Sequence, residues 1–368
     1  MDLASLFRPG IRNIRPYTPG KPVAEVQREL GLASVVKLAS NENPEGPLPE
    51  VLAAIAQAAR GINRYPDAAA YDLTRRLAAH LDVDPRSLIL GNGSNEVIDM
   101  LVRALVSPGE TVVYSEHSFI VYEIATRAHF ECGRPVAMGP DDRHDLDAMA
   151  AAVDATTKLV IICAPNNPTG TYNTAAEFAR FLDAVPPHVV IAIDEAYYEY
   201  VTADDYPQTL PMLKAHPNLV LLRTFSKIHS LAGLRVGYGI GHPDLVGQLQ
   251  KTREPFNVGM ISQAAAVACL DHWDQVPGRR ERNREQRTWL EGELAALGFA
   301  NTPSQANFIL TRTPRGEAAA LVDQLLRKGV IVRPMGGPWA MDARALRISV
   351  GLPEENRRCV AALKEIFA

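Results

Sequence analysis

From residue 87 to residue 226 the chain alternates two kinds of segment. "SLILGNG", "ETVVYSE", "KLVIICAP", "HVVIAIDEAY" and "NLVLLRTFS" each hold a run that is apolar throughout, whereas "NEVIDMLVRALV", "FIVYEIATRA" and "AAEFARFLDAV" carry apolar residues at helical spacing. A strand with one wet face alternates polar and apolar residues. A strand that is apolar at every position is covered on both faces, as in a parallel sheet. Parallel neighbours need a crossover, and the helical segments supply it. The pattern predicts an α/β layer structure with a mostly parallel central sheet.

The flanks read differently. Residues 1–34 contain Pro9, Gly10, Pro16, Pro19, Gly20 and Pro22, which predicts an extended arm, followed by a short amphipathic helix in "VAEVQRELGL" closed by Gly31. After about Thr252 the regular alternation stops. A charge-rich helical stretch, "RRERNREQRTWLEGELAAL", precedes the shorter elements "ANFILTR", "EAAALVDQLLRKG", "VIVRPM" and "ALRISVG" and a last helix, "EENRRCVAALKEIFA". The expected organisation is an arm over 1–34, a large α/β domain over 35–255 and a smaller α+β domain over 256–368.

The totals exclude several classes of function. With 38 Lys and Arg against 42 Asp and Glu, the net charge is -4, without the basic excess of a general nucleic-acid-binding surface. Cys132, Cys163, Cys269 and Cys359 form no CxxC pair, and the nine histidines form no HExxH pattern, so no metal site is expected. Cys163, in "LVIICAP", reads as a buried small hydrophobe. No apolar run approaches the roughly twenty residues of a membrane span, and "MDLASLFRPG" has no basic stretch leading into an apolar core. A cytoplasmic protein with reduced thiols is expected.

In open α/β sheets ligands bind beyond the carboxyl ends of the strands, and those ends carry the chemistry here. "LILGNGSNEVID" ends a strand in Gly91-Asn92-Gly93-Ser94-Asn95 and opens a helix, whose free N–H groups suit a phosphate; the plainer reading is an ordinary strand–helix turn. A dinucleotide fingerprint fits less well, since Glu96 stands where its third glycine belongs. "VIICAPNNPTG" offers Asn167 in a turn built from asparagine, proline and glycine. "VVIAIDEAYYEY" brings Asp194 to the end of an apolar run, where a buried carboxylate asks for a cation or caps a helix, with Tyr197 three residues on. "LVLLRTFSKIHSLAGLR" supplies Ser226, Lys227 and Arg235. Most lysines are surface lysines, but this one has apolar company on both sides.

A phosphate turn, an amide, a buried acid with a phenol nearby, and a lysine with a hydroxyl and a guanidinium form the set that pyridoxal phosphate requires. Its aldehyde takes a lysine amine as covalent anchor, its ring nitrogen an acid, and its phosphate backbone N–H, hydroxyl and arginine groups. Partial burial and nearby cations would lower the pKa of Lys227 and leave a reactive amine.

"NNPTG", "DEAYYEY" and "FSKIHSLAGLRVGYGIG" resemble the signature of fold-type I pyridoxal-phosphate aminotransferases. "IRNIRPYTPGKP", "KLASNENPEGP", "NRYPD", "REPFNV" and "LRISVGLPEENRR" resemble, more narrowly, the histidinol-phosphate aminotransferase family. The resemblance implies a Schiff base at Lys227, Asp194 on the ring nitrogen, and Asn167 and Tyr197 on the ring oxygen. It implies Gly93, Ser94, Asn95, Ser226 and Arg235 around the phosphate and Phe119 stacked on the ring. Tyr65 would reach the partner subunit's cofactor in a homodimer with shared active sites. Tyr17, Asn43, Arg333 and Arg347 would line the substrate pocket. The implied reaction is transfer from histidinol phosphate to 2-oxoglutarate, with ping-pong kinetics; an aromatic amino-acid aminotransferase and a threonine-phosphate decarboxylase are the alternatives that share the machinery. Two departures bear on substrate: His117-Ser118-Phe119 stands where the family commonly has "PTY", and "MGGPWAM" adds Trp339, as a packing anchor or a substrate contact.

Overall fold

The computed structural model describes residues 2–16, 20–336 and 341–368. The stretch expected as an extended arm is helical in part. Leu3–Leu6 and Pro9–Arg12 form single helical turns, and the second is held on the helix Ile120–Ala128 by Arg8, which donates to the Ala128 carbonyl at 2.7 Å. The helix Val23–Leu30 ends at Gly31 as expected. Strand β1 (Val36–Lys37) follows, then the helices Pro49–Ala58, with proline in its first turn, and Tyr71–Leu81.

The seven-stranded sheet contains β2 (Leu88–Asn92), β3 (Thr111–Ser115), β4 (Gly133–Val136), β5 (Thr157–Cys163), β6 (Val190–Asp194), β7 (Leu219–Thr224) and β8 (Val236–Gly241). Their order across the sheet is β2-β8-β7-β6-β5-β3-β4. The run from β7 through β6, β5 and β3 to β4 is parallel. β8 runs antiparallel to both its neighbours, so β2 points the same way as the rest. The expected mostly parallel α/β sheet is present, and its composition follows from its place between two cores. Val160, Ile162, Ile191, Ile193, Leu219 and Leu221 pack into the core on one face, while Leu159, Ile161, Ala192, Val220 and Leu222 pack into the core on the other.

A four-stranded sheet, ordered β12-β13-β10-β9, is built from β9 (Ala300–Asn301), β10 (Phe308–Arg312), β12 (Arg333–Pro334) and β13 (Ala345–Ser349), with β11 (Val330–Ile331) pairing parallel to β1 instead. The helices Val276–Ala296, Ala318–Arg327 and Pro353–Phe367 cover this sheet through Leu290, Leu294, Leu321, Leu325, Cys359 and Leu363. Two segments pack away from the side that composition gave them. Leu38 joins the core of the smaller sheet. The helix Met260–Asp271 places Ala265, Ala266, Cys269 and Leu270 in a core of the larger one, although a divide at residue 255 separates it from that sheet. Among the described residues no helix is long and apolar enough to cross a membrane.

Candidate active site

Because β2, β5, β6 and β7 run in one direction, their carboxyl ends meet at one edge of the sheet. The reversed β8 brings its amino end, next to Arg235, to that same edge. A cavity of about 480 Å³ opens there. Its lining includes Ser94, Asn95, Phe119, Asn167, Asp194, Tyr197, Ser226, Lys227 and Arg235, together with Arg347 from β13 of the smaller sheet.

Asp194 is the last residue of β6 and is 1% exposed. It caps no regular helix: the following segment is a short 3-10 turn over Tyr198–Tyr200, preceded by Tyr197. Its carboxylate accepts from the Tyr122 hydroxyl at 2.7 Å and from the Ala196 backbone N–H at 3.3 Å. Burial pushes its pKa up to about 6, with the Tyr122 and Ala196 donors and the positive charge of Lys227 opposing the rise.

Lys227 stands three residues beyond β7, on a loop pinned from behind. The buried Arg279 donates to the Ile228 carbonyl at 2.8 Å and to the Gly46 carbonyl at 2.8 Å, while Asn43 donates to the Ile228 carbonyl at 2.9 Å. The Lys227 amine donates to the Asn41 carbonyl at 3.3 Å and lies 5.3 Å from the centre of the Tyr197 ring. Burial, followed by the charges of Arg347 and Arg235, lowers its pKa to about 8 against the opposing pull of Glu42 and Asp194.

The third corner is built for an anion. Gly93, at φ 72°, precedes the helix Ser94–Leu105, whose first N–H groups face the cavity edge. A side chain at Gly93 would collide with the Arg235 guanidinium, and one at Gly237 would collide with the Ser94 amide nitrogen. These two glycines let strand, helix start and arginine close on one another. Arg235 donates to the Ser226 hydroxyl at 3.2 Å, and Thr224 donates to the same hydroxyl at 2.9 Å.

On the wall opposite the acid, Arg347 donates to the side-chain oxygen of Asn167 at 2.5 Å and to the Ala39 carbonyl at 3.0 Å. The Tyr197 hydroxyl accepts from the Asn41 amide at 3.1 Å, and burial keeps its phenol protonated far above neutral pH. That hydroxyl retains its own proton for a group in the cavity. Phe119 meets the cavity just before the helix Ile120–Ala128, its ring edge-on to Tyr122 at 5.8 Å.

The family model for aminotransferase class I and II matches residues 33–363. The chain belongs to the class I and II aminotransferases. A histidinol-phosphate aminotransferase from Anaeromyxobacter sp. (strain Fw109-5) is 45% identical over 98% of this chain and 99% of its own. One from Moorella thermoacetica is 45% identical over 98% of this chain and 93% of its own. The crystal structure of histidinol-phosphate aminotransferase from Sinorhizobium meliloti, in complex with pyridoxal-5'-phosphate, matches with a TM-score of 0.88 at 31% identity, covering 99% of this chain and 98% of that one. The fold is that of the fold-type I enzymes.

In this aminotransferase, eleven of the residues singled out from sequence line one cavity or, as with Gly93 alone, adjoin its lining. Others fall elsewhere. Asn43 does not line the cavity: its side chain is engaged with the Ile228 carbonyl and the Glu45 backbone N–H, and Asn41, two residues earlier, takes the wall position. Arg333 lies outside the lining, directly across the β12–β13 pair from Arg347. Tyr65 is 80% exposed and stacks on Phe256 with ring centres 4.6 Å apart. Tyr17 and Trp339 lie outside the described residues. Sequence reasoning missed Asn41, Tyr122 and Arg279. "SNEN" gave a cue for the first, two asparagines separated by a single residue; a helical tyrosine and an arginine in a charge-rich helix gave none.

Proposed function

We propose that this aminotransferase binds pyridoxal phosphate in the 480 Å³ cavity and transfers the amino group of histidinol phosphate to 2-oxoglutarate, giving imidazole acetol phosphate and glutamate. One observation carries the cofactor assignment: a half-buried amine of lowered pKa, a buried acid and an anion cradle open onto a single cavity. The donor set fits the group part by part. Lys227 offers an amine to the aldehyde, and Asp194 a carboxylate to the ring nitrogen. Tyr197 and the amide of Asn167 would serve the ring oxygen. Ser94, Asn95, Ser226 and Arg235 would hold the phosphate, in a cradle that a Cβ on Gly93 would fill.

When bound, pyridoxal phosphate supplies an electron sink for the carbon that loses its proton. This chain's own residues do the rest. Lys227 would hold the cofactor and, as a free amine, would take the proton from the substrate carbon. Asp194 would face the ring nitrogen and favour its charged form. Arg347 binds the substrate's anionic group. Arg333, opposite it on the neighbouring strand, brings a second guanidinium to the same region, which suits a substrate bearing a phosphate.

Tyr65 belongs to this reading as a residue given to a second copy of the chain. With its ring 80% exposed, its phenol reaches the phosphate in the partner's site, and the functional unit is a homodimer.

The test is a substrate panel on purified protein loaded with pyridoxal phosphate. Histidinol phosphate should give the highest kcat/KM among amino donors, above phenylalanine and glutamate. A higher value for phenylalanine would make the enzyme an aromatic amino-acid aminotransferase, and release of carbon dioxide from threonine phosphate would make it a decarboxylase.

A further inference from the structure

The acid at the end of β6 does not stand alone. Tyr122 lies in the helix Ile120–Ala128, has no exposed surface, and donates its phenol proton to Asp194 Oδ2 at 2.7 Å from the side away from the cavity. It is absent from the cavity lining, so it touches Asp194 but not the space Asp194 faces. One helical turn before it, Phe119 does face that space and rests edge-on against the Tyr122 ring at 5.8 Å and 90°. Residues three apart share a helix face. A single helix start therefore sets both the ring that borders the cavity and the donor behind the acid.

The surroundings leave Tyr122 little other work. Its backbone carbonyl accepts from the Thr126 hydroxyl at 2.8 Å, within its own helix. The second carboxylate oxygen of Asp194 has the Ala196 N–H at 3.3 Å. Tyr122 supplies the shorter of the two donors and, among the described residues, the only one from a side chain. Burial favours the protonated carboxyl; a hydrogen bond given to the carboxylate favours the charged form.

We propose that Tyr122 is a positioning residue that holds Asp194 charged and aimed at the ring nitrogen of the cofactor, so that the chain's preference for a cofactor bearing that nitrogen depends on the Tyr122 hydroxyl. The inference rests on the proposed role of Asp194.

The test compares affinities of the cofactor-free full-length chain for pyridoxal phosphate and for its 1-deaza analogue, which has carbon in place of the ring nitrogen. Wild-type protein should bind pyridoxal phosphate the more tightly. Tyr122→Phe should lower that preference by about 10-fold or more, as expected for loss of a hydrogen bond to a charged group. A merely structural role would weaken both ligands equally and leave the ratio unchanged, which overturns the proposal. If wild-type protein shows no preference at all, the assignment of Asp194 itself fails. Fluorinated tyrosine at position 122 keeps the packing and makes the phenol a stronger donor, so the measurement survives a phenylalanine variant that does not fold. It should preserve or raise the ratio, and a fall overturns the proposal.

Discussion

Arg347 on β13 donates to the side-chain oxygen of Asn167 across 2.5 Å. The strand belongs to the smaller sheet and the asparagine to the turn after β5 of the larger one, so the two sheets fix one another's side chains at the cavity. With its oxygen held by the guanidinium, Asn167 presents its amide nitrogen elsewhere. Arg347→Gln should raise KM for histidinol phosphate about 10–100-fold, the cost of a lost charged hydrogen bond. The absorbance of bound cofactor should persist, because the anion cradle at Arg235 is untouched. Initial rates and a visible spectrum of the variant decide this.

The Lys227 amine is lowered from 10.5 to about 8, chiefly by burial. Only the neutral amine captures an aldehyde. Capture of pyridoxal phosphate by cofactor-free protein should therefore accelerate with rising pH and level off just above pH 8, whereas an exposed lysine continues to accelerate toward pH 10. In Lys227→Ala, borohydride reduction should leave no cofactor on the peptide spanning residue 227, and amino transfer should fall by at least about 10²–10⁴-fold. Stopped-flow absorbance and peptide mass mapping read the two effects.

Asp194 carries the opposite sign. Its carboxyl is raised from 3.8 to about 6 by burial. The folded, cofactor-free chain thus holds a proton that the unfolded chain releases between those values. The stabilisation from this group is complete below 3.8 and is lost as pH rises through about 6. Asp194→Asn removes the penalty of a buried charge at pH 7. The cofactor-free variant should be more stable than wild type there, by on the order of 3 kcal/mol, and the advantage should largely vanish near pH 4. Urea unfolding at the two pH values checks it. Greater stability with lost function is the expected pattern where a site stores an unfavourable charge.

Much of this was legible because β5, β6 and β7 each hold an unbroken apolar run, at 159–163, 190–193 and 219–222, and the reactive residues stand at or just beyond the ends of those strands. β8 and β4 were not legible as strands. β8 reads "VGYGIG", and glycine is depleted in strands; it is there because a side chain at Gly237 would strike the start of the helix Ser94–Leu105. β4 is a short edge strand containing Gly133 and Pro135. Asn41, Tyr122 and Arg279 escaped because each acts through a contact distant in sequence: Asn41 with Tyr197, Tyr122 with Asp194, Arg279 with Ile228. Local pattern marks which residues end a strand, not which side chains arrive behind them from other elements.

Behind the acid, Glu195 and Arg223 form a buried pair at 2.8 Å, with the Arg223 guanidinium 3.9 Å from the centre of the Tyr198 ring. Thr209 donates to the same glutamate at 2.7 Å. Removing one charge of such a pair leaves the other desolvated. Arg223→Met should lower stability by about 3–5 kcal/mol. Adding Glu195→Gln to that variant should recover a large part of the loss, since the stranded carboxylate is gone. Chemical denaturation of the single and double variants gives both numbers.

Tyr65 offers the sharpest test of a shared site. Its ring is 80% exposed, stacked on Phe256 and absent from the lining of the cavity in its own chain. If its phenol serves a second copy, a Tyr65→Phe chain is defective only toward its partner and a Lys227→Ala chain only toward itself. Pairing the two variants places both defects in one site of the mixed dimer and leaves the other site whole. Co-expressed chains carrying different affinity tags and purified through both should show about half the wild-type kcat per dimer, well above the mean of the two parent variants. Activity no higher than that mean would place Tyr65 outside the partner's site, because only a residue working across the interface can be complemented in this way.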